Sequence, residues 1–359
     1  MTAVGDLVEL AYGKALKDSD RDGGDVPVVG SGGIVGRHSR GITDAPSIVV
    51  GRKGSIGSVT WVDGPAWPID TAYFVKPRGN GLDRRWAYWM LKSLRLETMN
   101  KSAAVPGLNR DDVYRLEVNL PPLPEQRRIA AILDHADALR AKRLQVVAHL
   151  DALTQSIFHD MFHAQRRSQP FATVCTRLTV GVVVKPASHY VTDGVPALRT
   201  LNVRPGAIEL NDLVYFSKES NDGPLAKSKL RSGDLVIART GKAGTAAVVP
   251  AALDGANAID LIVATPDKRV ALPVYLESLL NSDFGKRLVR GESRGQIQQH
   301  FNVGSLKTAE IPVPSLAAQM AFSQRVSLVA AQRECSMKAI RTDDELFASL
   351  QARAFSGRL

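Results

Sequence analysis

Basic residues sit among glycines twice in this chain, in Gly51-Arg52-Lys53-Gly54 and in Arg239-Thr240-Gly241-Lys242, and a β-branched run leads into each. Glycine lets backbone N–H groups approach a ligand closely, and the neighbouring cations neutralise phosphates. A solvated hairpin tip would carry the same residues, so it is the recurrence in both halves that favours polyanion binding. Ser293-Arg294-Gly295-Gln296 is a third candidate, since Arg bonds guanine and Gln bonds adenine bidentately; a polar surface loop is the competing reading. Nucleotide chemistry fits less well. Gly241-Lys242 is followed by Ala243, where a phosphate-binding loop needs Ser or Thr for Mg²⁺, and the first glycine of that motif is missing. The stretch from Gly30 to Gly36 does not match the dinucleotide fingerprint. Seven histidines are scattered without metal-ligand spacing, so the expectation is no catalytic residue and no metal ligand.

The elements that must carry these loops follow from patterning. In residues 1 to 118, short runs such as Val26-Pro27-Val28-Val29 and Ser47-Ile48-Val49-Val50 alternate with glycine clusters, the pattern of a mostly β core. A helix is expected near Arg84 to Thr98, with Trp86, Trp89, Met90 and Leu94 on one face. Then comes Leu120-Pro121-Pro122-Leu123-Pro124-Glu125-Gln126. Three prolines make a stiff lead-in, helix starts only after them, and Glu125 suits the positive end of the helix dipole. Ile129, Ile132, Ala136, Leu139, Val146, Leu150, Leu153 and Ile157 recur at near-heptad spacing, broken at Arg143, and this seam needs a partner helix. Gln165 to Pro170 reads as a linker. Asn119-Leu120-Pro121-Pro122 has the look of an amino-methyltransferase motif, but the inserted leucine and the lack of a glycine-rich cofactor loop favour a turn.

The chain then repeats itself. Residues 48–57 answer to 235–244 at an offset of 187, and Leu91-Lys92-Ser93 to Leu280-Asn281-Ser282 at 189. At 193, Asn109 answers to Asn302, Pro121 to Pro314, Gln126 to Gln319 and Phe162 to Phe355. Duplication implies approximate two-fold symmetry, with the two long helices as mutual antiparallel partners. The second apolar stripe, through Phe322, Val326, Val329, Ile340, Phe347 and Leu350, is interrupted by Asp343 and Asp344. A net charge of +10 favours a polyanionic partner. Two distant cysteines, Cys175 and Cys335, argue against a disulfide framework, and no apolar run of membrane-spanning length occurs. A cytoplasmic protein with no membrane contact is expected.

The proline lead-in running into Glu125-Gln126-Arg127-Arg128-Ile129-Ala130, its second copy, and Ala354-Phe355-Ser356-Gly357 resemble the specificity subunit of type I restriction-modification enzymes over the whole chain. The second copy departs most, with Ala318 in place of the acidic residue before glutamine. The resemblance implies an α+β fold: two mostly β target-recognition domains, 1–119 and 165–313, separated by two long helices, 120–164 and 314–359, forming an antiparallel coiled coil with an internal pseudo-two-fold repeat. It implies a non-catalytic subunit whose domains each read half of an asymmetric, bipartite site in double-stranded DNA, with helix length setting the unread spacer. It further implies two methyltransferase subunits, a restriction subunit reached through them, and S-adenosylmethionine, ATP and Mg²⁺ held by those partners only. Base-reading residues do not carry over by name. Loop position selects Ser31, Arg37, Arg52, Lys53 and Ser55 in the first domain. In the second it selects Arg199, Asn202, Arg204, Arg239, Lys242, Arg294 and Gln296, with phosphate contacts outnumbering base contacts. The competing readings are a self-sufficient methyltransferase or nuclease, opposed by the missing cofactor motifs, and an orphan DNA-binding paralogue.

Overall fold

The computed structural model describes residues 1–44, 46–99, 107–165, 167–292 and 301–359, and the chain is α+β. It divides into two compact units, Met1–Gln145 with Met337–Leu359, and Val146–Ser336. Each long helix therefore gives one half to each unit.

In the first unit an antiparallel sheet runs in the order Val8–Tyr12, Ala72–Pro77, Ser47–Gly51, Val59–Val62. A smaller sheet orders Gly33–His38, Val26–Gly30 and Trp67–Pro68, the last two parallel. Ser47–Gly51 is buried at every residue. An unalternated β-branched run is what a strand covered on both faces needs. The second unit repeats this plan with Cys175–Val180, Leu261–Pro266, Leu235–Ala238 and Ala246–Val248. Its second sheet orders Tyr190–Val191, Val214–Phe216, Val195–Leu198 and Asn257–Ala258, again with one parallel pair, the last two.

A helix follows the main sheet in each unit, Arg84–Ser93 and Pro273–Asn281. Asp83 caps the first by accepting from Trp86 N, which satisfies one of the orphan donors of its opening turn. Trp86, Trp89 and Met90 are fully buried. The helix stops at Ser93, short of the expected Thr98. Arg95 turns the chain in the left-handed region at φ 48°, and a 3₁₀ turn, Leu96–Met99, takes over. Glu277 and Asn281 of the second helix do a different job. The Glu277 carboxylate accepts from Val248 N at 2.7 Å, while Asn281 accepts from Ala246 N and donates to Ala246 O. One helical face thereby closes the backbone groups of an edge strand. Burial pushes the Glu277 carboxyl up to about 7, only partly opposed by the Val248 bond. The protonated form is thus favoured in the fold, and the contribution is full below the ordinary glutamate range and lost as pH rises through 7. Glu277→Gln, which cannot ionise, should match wild type near pH 5 and exceed it above pH 8 by up to about 3 kcal/mol. Urea unfolding of the second unit across that pH range measures this; parallel curves for the two proteins would refute it.

The long helices span Leu123–Phe162 and Leu316–Phe355, 40 residues each, with both ends separated by the repeat offset. Each is about 60 Å long at about 1.5 Å per residue. In the first unit Arg128 donates to Leu359 O at 2.9 Å, Arg140 pairs with Asp344 at 2.7 Å, and Arg143 pairs with Asp343 at 2.5 Å. Numbers that rise on one helix fall on the other, so the segments are antiparallel. In the second unit Asp151 pairs with Arg333 at 2.5 Å. The repeat carries Arg140 onto Arg333 and Asp151 onto Asp344, so one ion pair occurs twice. The breaks in the two apolar stripes, Arg143 and Asp343-Asp344, answer each other across the helix pair. Half-exposed pairs contribute only about 0.2–1 kcal/mol each and set register. Holding the helices falls to apolar burial: Ile129, Ala130, Leu133, Phe347 and Ala354 in the first unit, and Phe158 and Phe162 in the second, packed on Tyr275 and Phe322 with ring centroids 5.1 to 5.7 Å apart.

The proline lead-in is locked from within. Gln126 is 1% exposed; its Nε2 donates to Gly81 O and Pro121 O at 2.9 Å, and its Oε1 accepts from Asp83 N at 2.8 Å. Gln319, fully buried, donates to Val270 O at 3.0 Å and Pro314 O at 2.9 Å, and accepts from Leu272 N at 2.8 Å. One amide in each unit thus ties three segments together: the lead-in, the long helix and the chain entering the shorter helix. The stretch expected to be a linker is more ordered than that. Ser168–Pro170 pairs antiparallel with Glu310–Pro312, as Thr2–Ala3 pairs with Glu117–Val118 in the first unit.

Candidate nucleic-acid interface

The two glycine loops are the same structure built twice. In the first, Gly51 N donates to Ser58 O and Gly57 N to Gly51 O, both at 2.8 Å; in the second, Ala238 N donates to Thr245 O and Gly244 N to Ala238 O, both at 2.8 Å. The offset of 187 holds throughout. Gly57 and Gly244 have φ of 71° and 84°, and a Cβ on Gly57 would lie 2.2 Å from the Leu96 backbone, so neither position tolerates a side chain. The tip glycines Gly54 and Gly241 also have positive φ but face open space or Ser31 Oγ. Beside each tip stands an exposed lysine, Lys53 and Lys242, and among the described residues neither is in an ion pair.

Other expected contacts gather at the first loop. Ser31 lies in the hairpin turn between Val26–Gly30 and Gly33–His38; its carbonyl accepts from Ser58 Oγ, and Gly32 packs toward Ser55. Ser55 is exposed. Arg37, also exposed, donates across that hairpin to Asp25 O at 2.9 Å. Arg52 and Arg239 occupy equivalent positions, and each carbonyl accepts a 2.8 Å bond, from Leu108 N and Phe301 N respectively. Their side chains differ. Arg239 pairs with Asp260 at 2.5 Å. Arg52 donates to the Asp70 backbone carbonyl at 3.2 Å, and its guanidinium lies 4.9 Å from the Tyr12 ring centroid.

The remaining second-domain residues are placed as supports as much as contacts. Asn202 is fully buried; its side chain accepts from Arg199 N and donates to Glu209 O and Asn211 O, holding a turn. Arg199 pairs with Asp212 at 3.1 Å, and Arg204 with Glu209 at 2.9 Å while staying near half-exposed. Arg294 and Gln296 lie outside the described residues. The acids that engage Arg239, Arg199 and Arg204 come from loops whose proximity no local pattern announces. Tyr12, against Arg52, and Arg110, against the same Tyr12 ring, were missed for the same reason. Among the described residues, no helix is long and apolar enough to cross a membrane.

The chain thus carries a β-rich domain twice, each copy with a basic glycine loop, together with two 40-residue helices. Residues 1–149 match the type I restriction modification DNA specificity domain. The chain is 23% identical over 349 residues to the type I restriction enzyme EcoBI specificity subunit of Escherichia coli, covering 87% of this chain and 73% of that one. With the EcoKI specificity subunit of Escherichia coli strain K12 it shares 23% over 295 residues, 74% of this chain and 62% of that one. Its fold is that of a type I restriction-modification S subunit from M. genitalium, with a TM-score of 0.58 at 17% identity over 98% of this chain and 95% of that one. A second solved chain, from a study of complex assembly in a type I R-M system, gives 0.57 at 15% over 100% and 97%. Over most of its length the chain is similar to type I restriction-modification specificity subunits.

Proposed function

We propose that this chain reads DNA sequence for a type I restriction-modification complex, each β-rich domain recognising one half of an asymmetric bipartite site. The observation that carries this reading is the doubled loop: one backbone structure, built twice, surrounded by different side chains. Equivalent folds provide two reading heads, and divergent loop residues make the half-sites differ. The helical pair sets the unread spacer; one 60 Å helix exceeds the roughly 34 Å of a DNA turn.

The subunit is non-catalytic in this reading. Two methyltransferase subunits supply adenine-N6 methylation from S-adenosylmethionine, and a restriction subunit joins through them with ATP and Mg²⁺, so the cofactors belong to the partners. A docking face for the methyltransferases is offered by the apolar groove lined by Ile132, Leu139, Leu346 and Leu350 in the first unit, where Leu139 and Leu346 are exposed. Leu153, the repeat counterpart of Leu346, is exposed in the second unit. For DNA contact, exposure favours Arg37, Lys53 and Ser55 in the first domain and Arg204 and Lys242 in the second; half-buried Ser31 is favoured by its turn beside the first loop, and Arg294 and Gln296 remain candidates. Arg239, Arg199 and Asn202 hold the loops in shape.

Genome-wide methylation mapping in a cell expressing this chain with its methyltransferase partner tests the reading. A single discontinuous, asymmetric methylated motif is the expected result, and methylation at no such motif would refute it. Methyl transfer by the purified chain alone would instead favour a self-sufficient enzyme.

A further inference from the structure

The equivalent arginines of the two loops live in opposite electrostatic settings. Around Arg52, the Tyr12 and Tyr73 rings lie 4.9 and 5.8 Å from the guanidinium, and the Arg110 guanidinium lies 5.0 Å from the same Tyr12 ring. Tyr12 is 48% exposed. Among the described residues no carboxylate pairs with Arg52, and Arg110 has only Asp111 at 4.0 Å, the limit of an ion pair. The Tyr73 hydroxyl is held above its ordinary pKa, by burial first and then by Tyr12, while Arg52 and Arg110 both pull it down, which places the two cations around one pair of rings.

Strand register identifies the counterparts. Tyr12 faces Tyr73 across its sheet as Val180 faces Ile262, and Arg110 follows Asn109 as Val303 follows Asn302. Tyr12, Tyr73 and Arg110 are thus replaced by Val180, Ile262 and Val303, and Arg52 by an Arg239 already paired with Asp260. The difference has a backbone cause. Asp70 and Asp260 follow matched parallel strands, but the first domain has one additional residue, Thr71, before the next strand. Thr71 O accepts from Arg52 N and Lys53 N, and Asp70 presents its carbonyl to Arg52 in place of its carboxylate.

We propose that Tyr12, Arg52 and Arg110 form a phosphate-gripping site confined to the first domain, taking one phosphodiester of duplex DNA. Cation–π contact is worth about 0.5–1 kcal/mol at an exposed site and leaves the guanidinium charge unneutralised. A phosphate accepts bidentately from the guanidinium N–H groups that the ring does not use, and neutralises charge that no carboxylate partner of Arg52 removes. The second domain, its arginine neutralised internally and its rings replaced by aliphatics, contacts the backbone elsewhere. This rests on the DNA-reading function proposed above.

The test uses the full chain assembled with its methyltransferase subunits, with fluorescence anisotropy over a salt series on two duplexes: one carrying the motif found by methylation mapping, one scrambled. Arg110→Gln should weaken binding to both by roughly 5- to 30-fold and lower the salt slope by about one unit, since one phosphate contact contributes about 0.9. Tyr12→Leu, which removes the platform, should do the same, and Arg110→Lys should keep most of the affinity. Stoichiometric titration fixes the active fraction of each variant, so loss of fold is read separately. Unchanged affinity and slope in Arg110→Gln and Tyr12→Leu would overturn the proposal, as would a loss on the mapped duplex alone, which marks a base reader. A wild-type complex that does not prefer the mapped duplex would overturn the DNA-reading function itself, and this site with it.

Discussion

Gln126→Ala should cost the first unit about 3–5 kcal/mol, and Gln319→Ala the second unit a similar amount. Each substitution takes a buried side-chain partner from two carbonyls and one backbone N–H, Gly81 O, Pro121 O and Asp83 N in the first case and Val270 O, Pro314 O and Leu272 N in the second. A buried polar group left without a partner costs about 1–3 kcal/mol, and the vacated volume adds to it. The side chain's position at the junction of three segments directs the damage. Hydrogen exchange should speed first at the lead-in and at the opening turn of the shorter helix, ahead of the sheet. Gln126→Glu is the sharper variant. Its carboxylate still accepts from Asp83 N but cannot donate to either carbonyl, so at neutral pH it should be no better than alanine. Urea unfolding that shows a loss under 1 kcal/mol in both alanine variants would mean that the lead-in is held by packing alone.

Insertion of one heptad into each long helix, at positions matched by the repeat offset, should lengthen the spacer of the methylated motif while leaving both half-sites unchanged. Seven residues add about 10.5 Å of rise and return the apolar stripe nearly to its original face. The helix pairing therefore survives, and the loops that carry Lys53 and Lys242 are untouched. Insertion into one helix alone should abolish methylation, because the Arg140–Asp344 and Asp151–Arg333 pairs can then no longer form together in one antiparallel register. Methylation mapping of cells carrying each variant gives the answer directly, and an unchanged spacer after the double insertion would remove the helices from any role as a ruler.

Much of the fold was legible because it is periodic or repeated. The heptad seam marked the long helices, three prolines placed the first helix start to within a residue or two of Leu123, and the offsets of 187 and 193 reappear as matched hydrogen bonds and matched helix ends. The irregular second stripe was legible only as a defect; its reason, Asp343 and Asp344 facing Arg143 and Arg140, needed the partner helix in place. Ser168–Pro170 passed for a linker because a three-residue strand has too few side chains to show alternation. The site was harder. Glycine spacing located both loops, but which cation is available depends on Asp260, Asp70 and a single additional Thr71, all distant from the loop in sequence. Asn202 seemed a polar loop residue and is a buried turn support. Its three hydrogen bonds go to backbone, which any residue type supplies and no motif records.

The interleaving of the chain in its two units bears on synthesis. The Trp86 and Trp89 rings pack on Phe355 and Phe347, and the first unit needs residues 337–359 for completion. At about 5–20 residues per second, a ribosome takes roughly 10–40 s to make the stretch between Gln145 and Met337. Throughout that interval the nascent first domain lacks the Phe347 and Phe355 rings that complete the cover over Trp89 and Trp86, while the second domain is still emerging. The apolar stripe of the central helix stands open beside it for the same period. Folding of this protein is thus non-vectorial: the part made first is finished last, and holdase chaperones acting on it during translation should decide how much of it reaches the assembled state.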